Sequence, residues 1–416
     1  MDTQAEGPAS EATSVQSAAP ASPGTDFSIF RPHPPAARLR DWMADTRRVT
    51  GAMLAGLAEA DWLGPVLPTI NPPQWELGHL AWFWEKWLLR AGDTRGHAST
   101  LMPGSDALYD SAAVPHHTRW RLPLPSVGAT WDYLDAVLER VKERLASERL
   151  EGPGGDALAY FTQLCVFHQD MHNEAFAIRC QLLAHGAPVG VTPPVGEVPG
   201  PSADLAFATG TYVLGAQPAQ GFFFDNEKWA HEVPLPAFAI AARPVTEGEF
   251  AAFIEAGGYA HSGYWSEGGW AWRAPAGVLA PSCWRRTAQG WEVREFERWR
   301  PLRAQAVLAH VNAHEAQAYC AWAGRRLPTE AEWERAWPGL QARGAVWEWT
   351  ATAFTPYPGF AADPYADYSL PWFDGRHRVL RGGSRFTAPR NLWRGWRNFY
   401  LPRRADMFCG FRTCAL

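Results

Sequence analysis

His168 and His172 stand four residues apart in FHQDMHNE, and a third histidine, His79, lies far upstream in WELGHLAWFWE. On a helix, residues four apart share a face, so both imidazoles can point at one ion while a neighbouring helix brings His79 to complete a face of three nitrogens. A His-x3-His pair is a weak signal alone, because most such pairs are incidental. Its setting strengthens it: Leu164, Val166, Phe167, Met171 and Phe176 surround the pair, and Leu77, Leu80, Trp82 and Phe83 surround His79, which no solvated face would do. Hydrolytic zinc is disfavoured, since His-Glu-x-x-His needs a general base directly after the first histidine and Gln169 stands there. Three neutral nitrogens leave room for exogenous ligands, which suits Fe(II) binding both a substrate and dioxygen. Glu174, only two residues beyond His172, should point away from it and is expected to support the ligands from behind or to face outward.

The elements that must position these residues are legible as periodicity. From about Ala36 to Ala184 the pattern is helical, in ARLRDWMADTRRVTGAMLAGL, WELGHLAWFWEKWLLRA, ATWDYLDAVLERVKERLASE and DALAYFTQLCVFHQDMHNEAFAIRCQLLA. Four long amphipathic segments predict a four-helix bundle whose second and fourth helices carry the histidines. HGAPVGVTPPVGEVPGPS then reads as an extended linker. After it the chain is rich in Gly, Trp and Arg, with short strand-like pieces (GTYVLG, HEVPLPAFAIAARPVT, HRVLRGGS) and two helical ones (VNAHEAQAYCAWAG, PTEAEWERAW). The organisation expected is a tail over 1–26, a bundle over 27–186, a linker over 187–204 and an irregular α+β domain over 205–416.

Composition narrows the partners. The chain has 416 residues, 23 of them Trp, and a net charge of −5, with no Lys/Arg-rich run interleaved with aromatics, so no nucleic-acid partner is expected. The first 26 residues are Ala/Ser/Pro/Gly-rich and lack the charged start and apolar stretch of a signal peptide. No apolar run reaches the roughly 18 residues that span a bilayer, so the expectation is a cytoplasmic protein with no membrane partner. The cysteines at 165, 180, 283, 320, 409 and 414 have neither zinc-finger nor disulfide spacing and read as reduced thiols.

The second half resembles the formylglycine-generating-enzyme-like fold, related to C-type lectins, through PVTEGEFAAFIEAGGY, VNAHEAQAYCAWAGRRLPTEAEWERAW, GAVWEWT, RVLRGGS and CGFR in order. Copper-dependent members of that fold use a close cysteine pair just after Gly-Gly-Ser, absent from GGSRFTAPRNLWRGWRNF, so their activity is disfavoured. A DinB-like bundle with a His…His-x3-His set, fused to this fold, resembles the non-haem iron synthases that join sulfur or selenium to hercynine, the trimethylated histidine betaine. The resemblance implies an α+β architecture, an N-terminal DinB-like four-helix bundle followed by a formylglycine-generating-enzyme/C-type-lectin-like domain. It further implies Fe(II) held by His79, His168 and His172, with hercynine and O2 as substrates. Aromatic faces and a carbonyl suit a quaternary ammonium; Asn398 matches the asparagine that contacts the hercynine betaine in the relatives, and Tyr357 a tyrosine near its imidazole.

Departures from the pattern bear on the second substrate. Sulfoxide synthases using γ-glutamylcysteine follow the asparagine with Trp-Asp, the acid meeting the donor's amino group, whereas this chain has Phe399 and Tyr400. They carry a tyrosine for proton or electron delivery three residues before the Tyr357 match; here Phe354 stands there and cannot donate a proton. Met171 replaces a glutamine that often precedes the second paired histidine. NPPQWELGHLAWFWEKW and YDSAAVPHHTRWRLPLP resemble the selenoneine-forming branch more closely, which couples hercynine to a seleno-sugar bearing neither amine nor carboxylate. Hydroxyl recognition would then involve Tyr400, Arg119 and Arg404. Arg119 and Arg404 also match arginines near the thiol donor, so the alternative is a sulfoxide synthase using cysteine or γ-glutamylcysteine. A non-catalytic lectin-like binding protein is a third reading, and a structural Ca2+ in the second half has no complete ligand loop.

Overall fold

The computed structural model describes residues 25–90 and 100–416. Nearly all of the expected tail lies outside these residues; the described chain opens with Asp26 accepting the Ser28 N–H and capping a 3-10 turn, Phe27–Phe30, that packs on Tyr160.

Four long helices form as the periodicity requires. Helix α1 (Ala36–Leu54) buries Leu39, Met43, Thr46, Thr50 and Met53 at three- and four-residue spacing. Helix α2 (Pro73–Trp84) starts with proline at its first position and is buried almost all round, continuing as a π-helical turn over Glu85–Arg90. A short α3 (Ser105–Tyr109) precedes α4 (Val127–Ser147), which Ser126 caps by accepting the Ala129 N–H. Helix α5 (Gly152–Leu182) closes the bundle, with α1 packed on α5 and α2 on α4.

The burial of α5 on every side has a clear cause: the bundle covers one face and the second half covers the other. Its polar residues are paired accordingly. Gln169, the residue that excludes the metalloprotease motif, accepts from Trp84 Nε1 (2.7 Å) and donates to Thr50 (2.8 Å), a satisfied polar network inside the bundle.

In the stretch expected to be an extended linker, Val198 donates to the Gln305 carbonyl and a β-bridge joins Glu197 to Ala306, so it runs along the second half. Strands β1 (Asp204–Phe207), β2 (Gly210–Leu214), β3 (His231–Leu235) and β4 (Phe238–Ala241) follow. Helices α6 (Glu247–Glu255) and α7 (Glu267–Ala276) precede the meander β5 (Trp284–Thr287), β6 (Gly290–Glu295) and β7 (Arg298–Pro301). Then come α8 (Ala313–Trp322), β8 (Arg325–Arg326), α9 (Glu330–Ala336), β9 (Trp347–Ala353), β10 (Arg378–Arg381), β11 (Asn398–Tyr400), β12 (Cys409–Gly410) and β13 (Cys414–Ala415). Thr246, Asn312 and Thr329 cap α6, α8 and α9 through reciprocal boxes with a glutamate three residues on.

Two four-stranded sheets, ordered β1-β4-β13-β8 and β11-β10-β9-β12, organise the second half. Strand β11 is an edge strand pairing Val379 with Phe399 and Leu380 with Asn398, so Phe399 faces opposite to Asn398 and Tyr400. All six cysteines are free and buried. Among the described residues no helix is long and apolar enough to cross a membrane.

Candidate metal centre and the pocket around it

The fold brings His79 from α2 and His168 and His172 from α5 to one point. The Nε2 atom of His168 lies 3.3 Å from that of His79 and 3.2 Å from that of His172. The ligand atoms of all three fall within 4.8 Å of one another, the arrangement of a group that can hold a metal ion. What stands behind the rings fixes which nitrogen faces inward. His79 Nδ1 donates to the Tyr109 carbonyl at 2.8 Å, and His172 Nδ1 meets the Glu76 carboxylate, so both present Nε2. Burial pushes His79 and His168 well below the ordinary histidine pKa, which keeps them neutral and ready to ligate. The donor set therefore fits a first-row divalent metal with one face left open.

Aromatic rings hold the imidazoles in place. Phe83 stacks on His168 at 3.6 Å and 5°, and Trp75 stacks on His79 at 5.0 Å and 10°. Gly78 permits the approach of Tyr109, because a Cβ there would lie 2.2 Å from its ring. The sequence reading passed over Glu76, although its spacing of three before His79 put it on the same helix face.

Glu174 neither supports the histidines nor faces outward, as had been expected. It is buried and reaches into the second half, accepting from Trp347 Nε1 (2.9 Å), Thr387 Oγ1 (2.7 Å) and the Ser384 hydroxyl. Beside it Arg390 grips Asp170 through two 2.6 Å bonds and reaches Asp45 at 2.8 Å, so these contacts tie both α1 and α5 to the second half.

Two tyrosines absent from the sequence candidates come from the loop between β9 and β10, Tyr365 to His168 and Tyr368 to Met171. The Tyr365 ring lies 6.1 Å from His168, 5.0 Å from Phe83 and 6.2 Å from Trp87. The Tyr368 hydroxyl lies 3.8 Å from Met171 Sδ and accepts from Trp396 Nε1 at 3.1 Å. Phe354 cannot donate a proton, and Tyr365 is the phenol whose ring lies beside His168. Periodicity gives no hint of this placement, since PYADYS is an irregular stretch whose position depends on tertiary packing.

The remaining candidates divide. Arg119 is buried, its guanidinium 3.9 Å over Trp75, so that Arg119, Trp75 and His79 form one column. It donates to Asn71 Oδ1 (2.7 Å) and to the Ser111 and Val114 carbonyls, its Nε is unsatisfied, and no carboxylate among the described residues bonds to it, although the Glu76 charge acts on it from a distance. Burial pushes its pKa down to about 10. Arg404 is already neutralised by two 2.6 Å bonds to Asp406 and lies 5.0 Å over the Tyr400 ring. Burial pushes the Tyr400 phenol up to about 12, and Asn398 Oδ1 accepts the Phe399 N–H.

Phe399 stacks on Phe354 at 4.0 Å, and Phe354 on Phe373 at 4.7 Å, an apolar pile reached by Tyr368 at 6.1 Å. The Tyr357 hydroxyl donates to Glu330 and accepts from Arg381, Arg397 covers its ring at 4.0 Å, and the His231 ring lies 4.7 Å away, all within a buried polar network under α9.

Comparison with known proteins agrees with this architecture. Residues 64–175 match the DinB superfamily, and residues 198–343 and 339–415 match the Sulfatase-modifying factor enzyme 1-like domain. The chain is 34% identical over 395 residues to the hercynine oxygenase of Mycobacterium tuberculosis, covering 83% of this chain and 91% of that one. It is likewise 34% identical over 399 residues to the hercynine oxygenase of Mycolicibacterium thermoresistibile, covering 83% and 87%. The formylglycine-generating enzyme of Streptomyces coelicolor is 31% identical over 265 residues, covering 46% of this chain and 84% of that enzyme. With a DinB-like bundle, a sulfatase-modifying-factor-like second half and relatives of this name along most of its length, the chain belongs to the hercynine oxygenase family of oxidoreductases.

Proposed function

We propose that this protein couples a thiol donor to C2 of the hercynine imidazole at an Fe(II) ion held by His79, His168 and His172. The balanced reaction joins hercynine, a thiol and O2 to give the C2 sulfoxide and one water: the C2–H and S–H bonds break, the C–S and S–O bonds form, and dioxygen is reduced. Bound between the histidines, ferrous iron would supply the activation of dioxygen. The chain's own residues hold the three imidazoles oriented, keep His79 and His168 neutral, exclude water with Phe83, Trp82 and Trp87, and set the Tyr365 phenol beside His168 to deliver a proton.

The observation that carries this reading is the convergence of three Nε2 atoms near a buried guanidinium whose Nε is unpaired and which no carboxylate among the described residues bonds, in a chain whose relatives are named hercynine oxygenases. A substrate carboxylate would satisfy Arg119, which favours cysteine or γ-glutamylcysteine as donor. Replacing Arg119 by Met is expected to raise KM for such a donor at least about tenfold. Arg119→Lys should recover little, because an ammonium cannot reproduce the planar fork stacked on Trp75.

A second reading has its own support. Phe399 and Tyr400 leave no acid beside Asn398 to meet a donor ammonium, and Arg404 is occupied by Asp406. Both features favour a 1-selenosugar donor, with release of selenoneine after C–Se cleavage on the sugar side. Supplying Fe(II)-loaded protein with hercynine, O2 and equal selenoglucose, cysteine and γ-glutamylcysteine, and reading products by mass spectrometry, separates the two. A sulfoxide is the expected product; a selenium product alone would transfer the assignment to the second reading.

A further inference from the structure

Residues 363–369 carry Tyr365, whose ring lies beside His168, and Tyr368, whose hydroxyl lies against Met171, and both ends of this stretch are held by one short segment of chain, the 3-10 turn Asp225–Glu227 with Lys228. At the first end the Lys228 ammonium meets the Asp363 carboxylate, each side chain about one-twentieth exposed. At the other end the Ser369 hydroxyl donates to Asp225 and accepts from Asn226 Nδ2 at 3.0 Å. The Asp363 backbone N–H also faces the Asp225 carboxylate, so one side chain addresses both ends. Between them Phe224 stacks on Tyr368 at 4.3 Å and 25°.

The turn is itself anchored. Arg397 donates to the Asn226 carbonyl at 2.6 Å, and Glu227 accepts the Phe224 N–H and Trp393 Nε1. Tyr365 has no such fixing of its own: among the described residues no hydrogen-bond partner meets its hydroxyl, and its ring rests on Phe83, Trp87 and His168. Its position therefore depends on where the two ends of its loop are pinned. Replacing a buried ion pair by apolar side chains of similar volume is often neutral in stability, so the Lys228–Asp363 pair is read as fixing a position rather than as adding stability.

We propose that Asp225, Asn226 and Lys228 form a clasp that sets the Tyr365 phenol against the metal-holding histidines, acting as positioning residues for the reaction. The catalytic part of this inference rests on the function proposed above; the mechanical part does not.

The test is Ser369→Ala, made in the parent protein and in Tyr365→Phe, read by amide hydrogen exchange, by Co(II) absorption at the histidines and by turnover. In the parent background, exchange within 363–369 should quicken at least about tenfold while α5 stays protected and the Co(II) spectrum is unchanged. Turnover should fall about ten- to a hundredfold with KM moved less than about twofold. In Tyr365→Phe the same change should cost under about twofold, since the clasp acts through a phenol already removed. Equal losses in both backgrounds, or unchanged exchange, would overturn the proposal. Should Ser369→Ala not fold, Lys228→Met with Asp363→Leu removes the pin while keeping the site filled. If the parent forms no product from hercynine, the proposed function fails and exchange alone still decides whether the clasp exists.

Discussion

Glu76 shows how much of a metal centre is set by residues that never touch the metal. Its carboxylate orients His172 from behind, as the Tyr109 carbonyl orients His79. Replacing it by Gln keeps the shape but weakens the acceptor, and metal affinity is expected to fall about ten- to a hundredfold in anaerobic Co(II) titration. An unchanged affinity would show that packing by Trp75 and Phe83 orients the rings without it. The histidines were legible in the sequence because their spacing and apolar flanks follow from helix geometry. Glu76 was within reach of the same logic. Tyr365 was not, because nearly two hundred residues separate it from His168 and a loop carries it. Phe354, three residues before the Tyr357 match, lies buried in a stack of phenylalanines.

At the scale of elements, α2 depends on the absence of a side chain at Gly78, where Tyr109 packs against the helix backbone. Gly78→Ala would drive Tyr109 outward and withdraw its carbonyl from His79. Stability should drop by about 1–3 kcal/mol in urea unfolding, with metal affinity falling in parallel. Helix α8 carries a separate dependence on pH. Burial pushes the Glu315 carboxyl up to about 7 while it accepts the Tyr259 hydroxyl at 2.5 Å and the Asn312 N–H at 2.8 Å. Because the folded value lies above the unfolded one, the folded state binds more protons between them. The stability this contributes is present below about pH 4.5 and is lost as pH rises through 7. Glu315→Gln, which cannot ionise, should therefore gain on the parent by on the order of 2 kcal/mol between pH 5 and pH 8. A difference flat across that range would contradict the assignment. The long helices follow from their periodicity, whereas the β5–β7 meander was missed because WRRT and RWRP show no clear alternation of apolar and polar residues.

For the whole molecule, the candidate metal centre lies where the two halves meet: the histidines come from the bundle, while Tyr365, Tyr368 and Trp396 come from the second half. The order of the two folds was legible from their motifs, but their junction was not, since nothing local marks Glu174 or Asp170 as partners of residues more than two hundred positions away. Arg390→Met would leave Asp170 buried without its cation. The expected loss in urea unfolding is about 3–5 kcal/mol. A loss under about 1 kcal/mol would mean that the apolar contacts of Phe167 with Phe222 and Trp393 suffice to join the halves.

The most direct test of the central claim is oxygen consumption by Fe(II)-loaded protein on addition of hercynine and γ-glutamylcysteine, with the product's mass read from the same reaction and His168→Ala run beside it. The account expects one O2 consumed per C2 sulfoxide formed and neither event in His168→Ala. Equal product from His168→Ala, or hercynine recovered unchanged from the iron-loaded parent with every donor supplied, would contradict it.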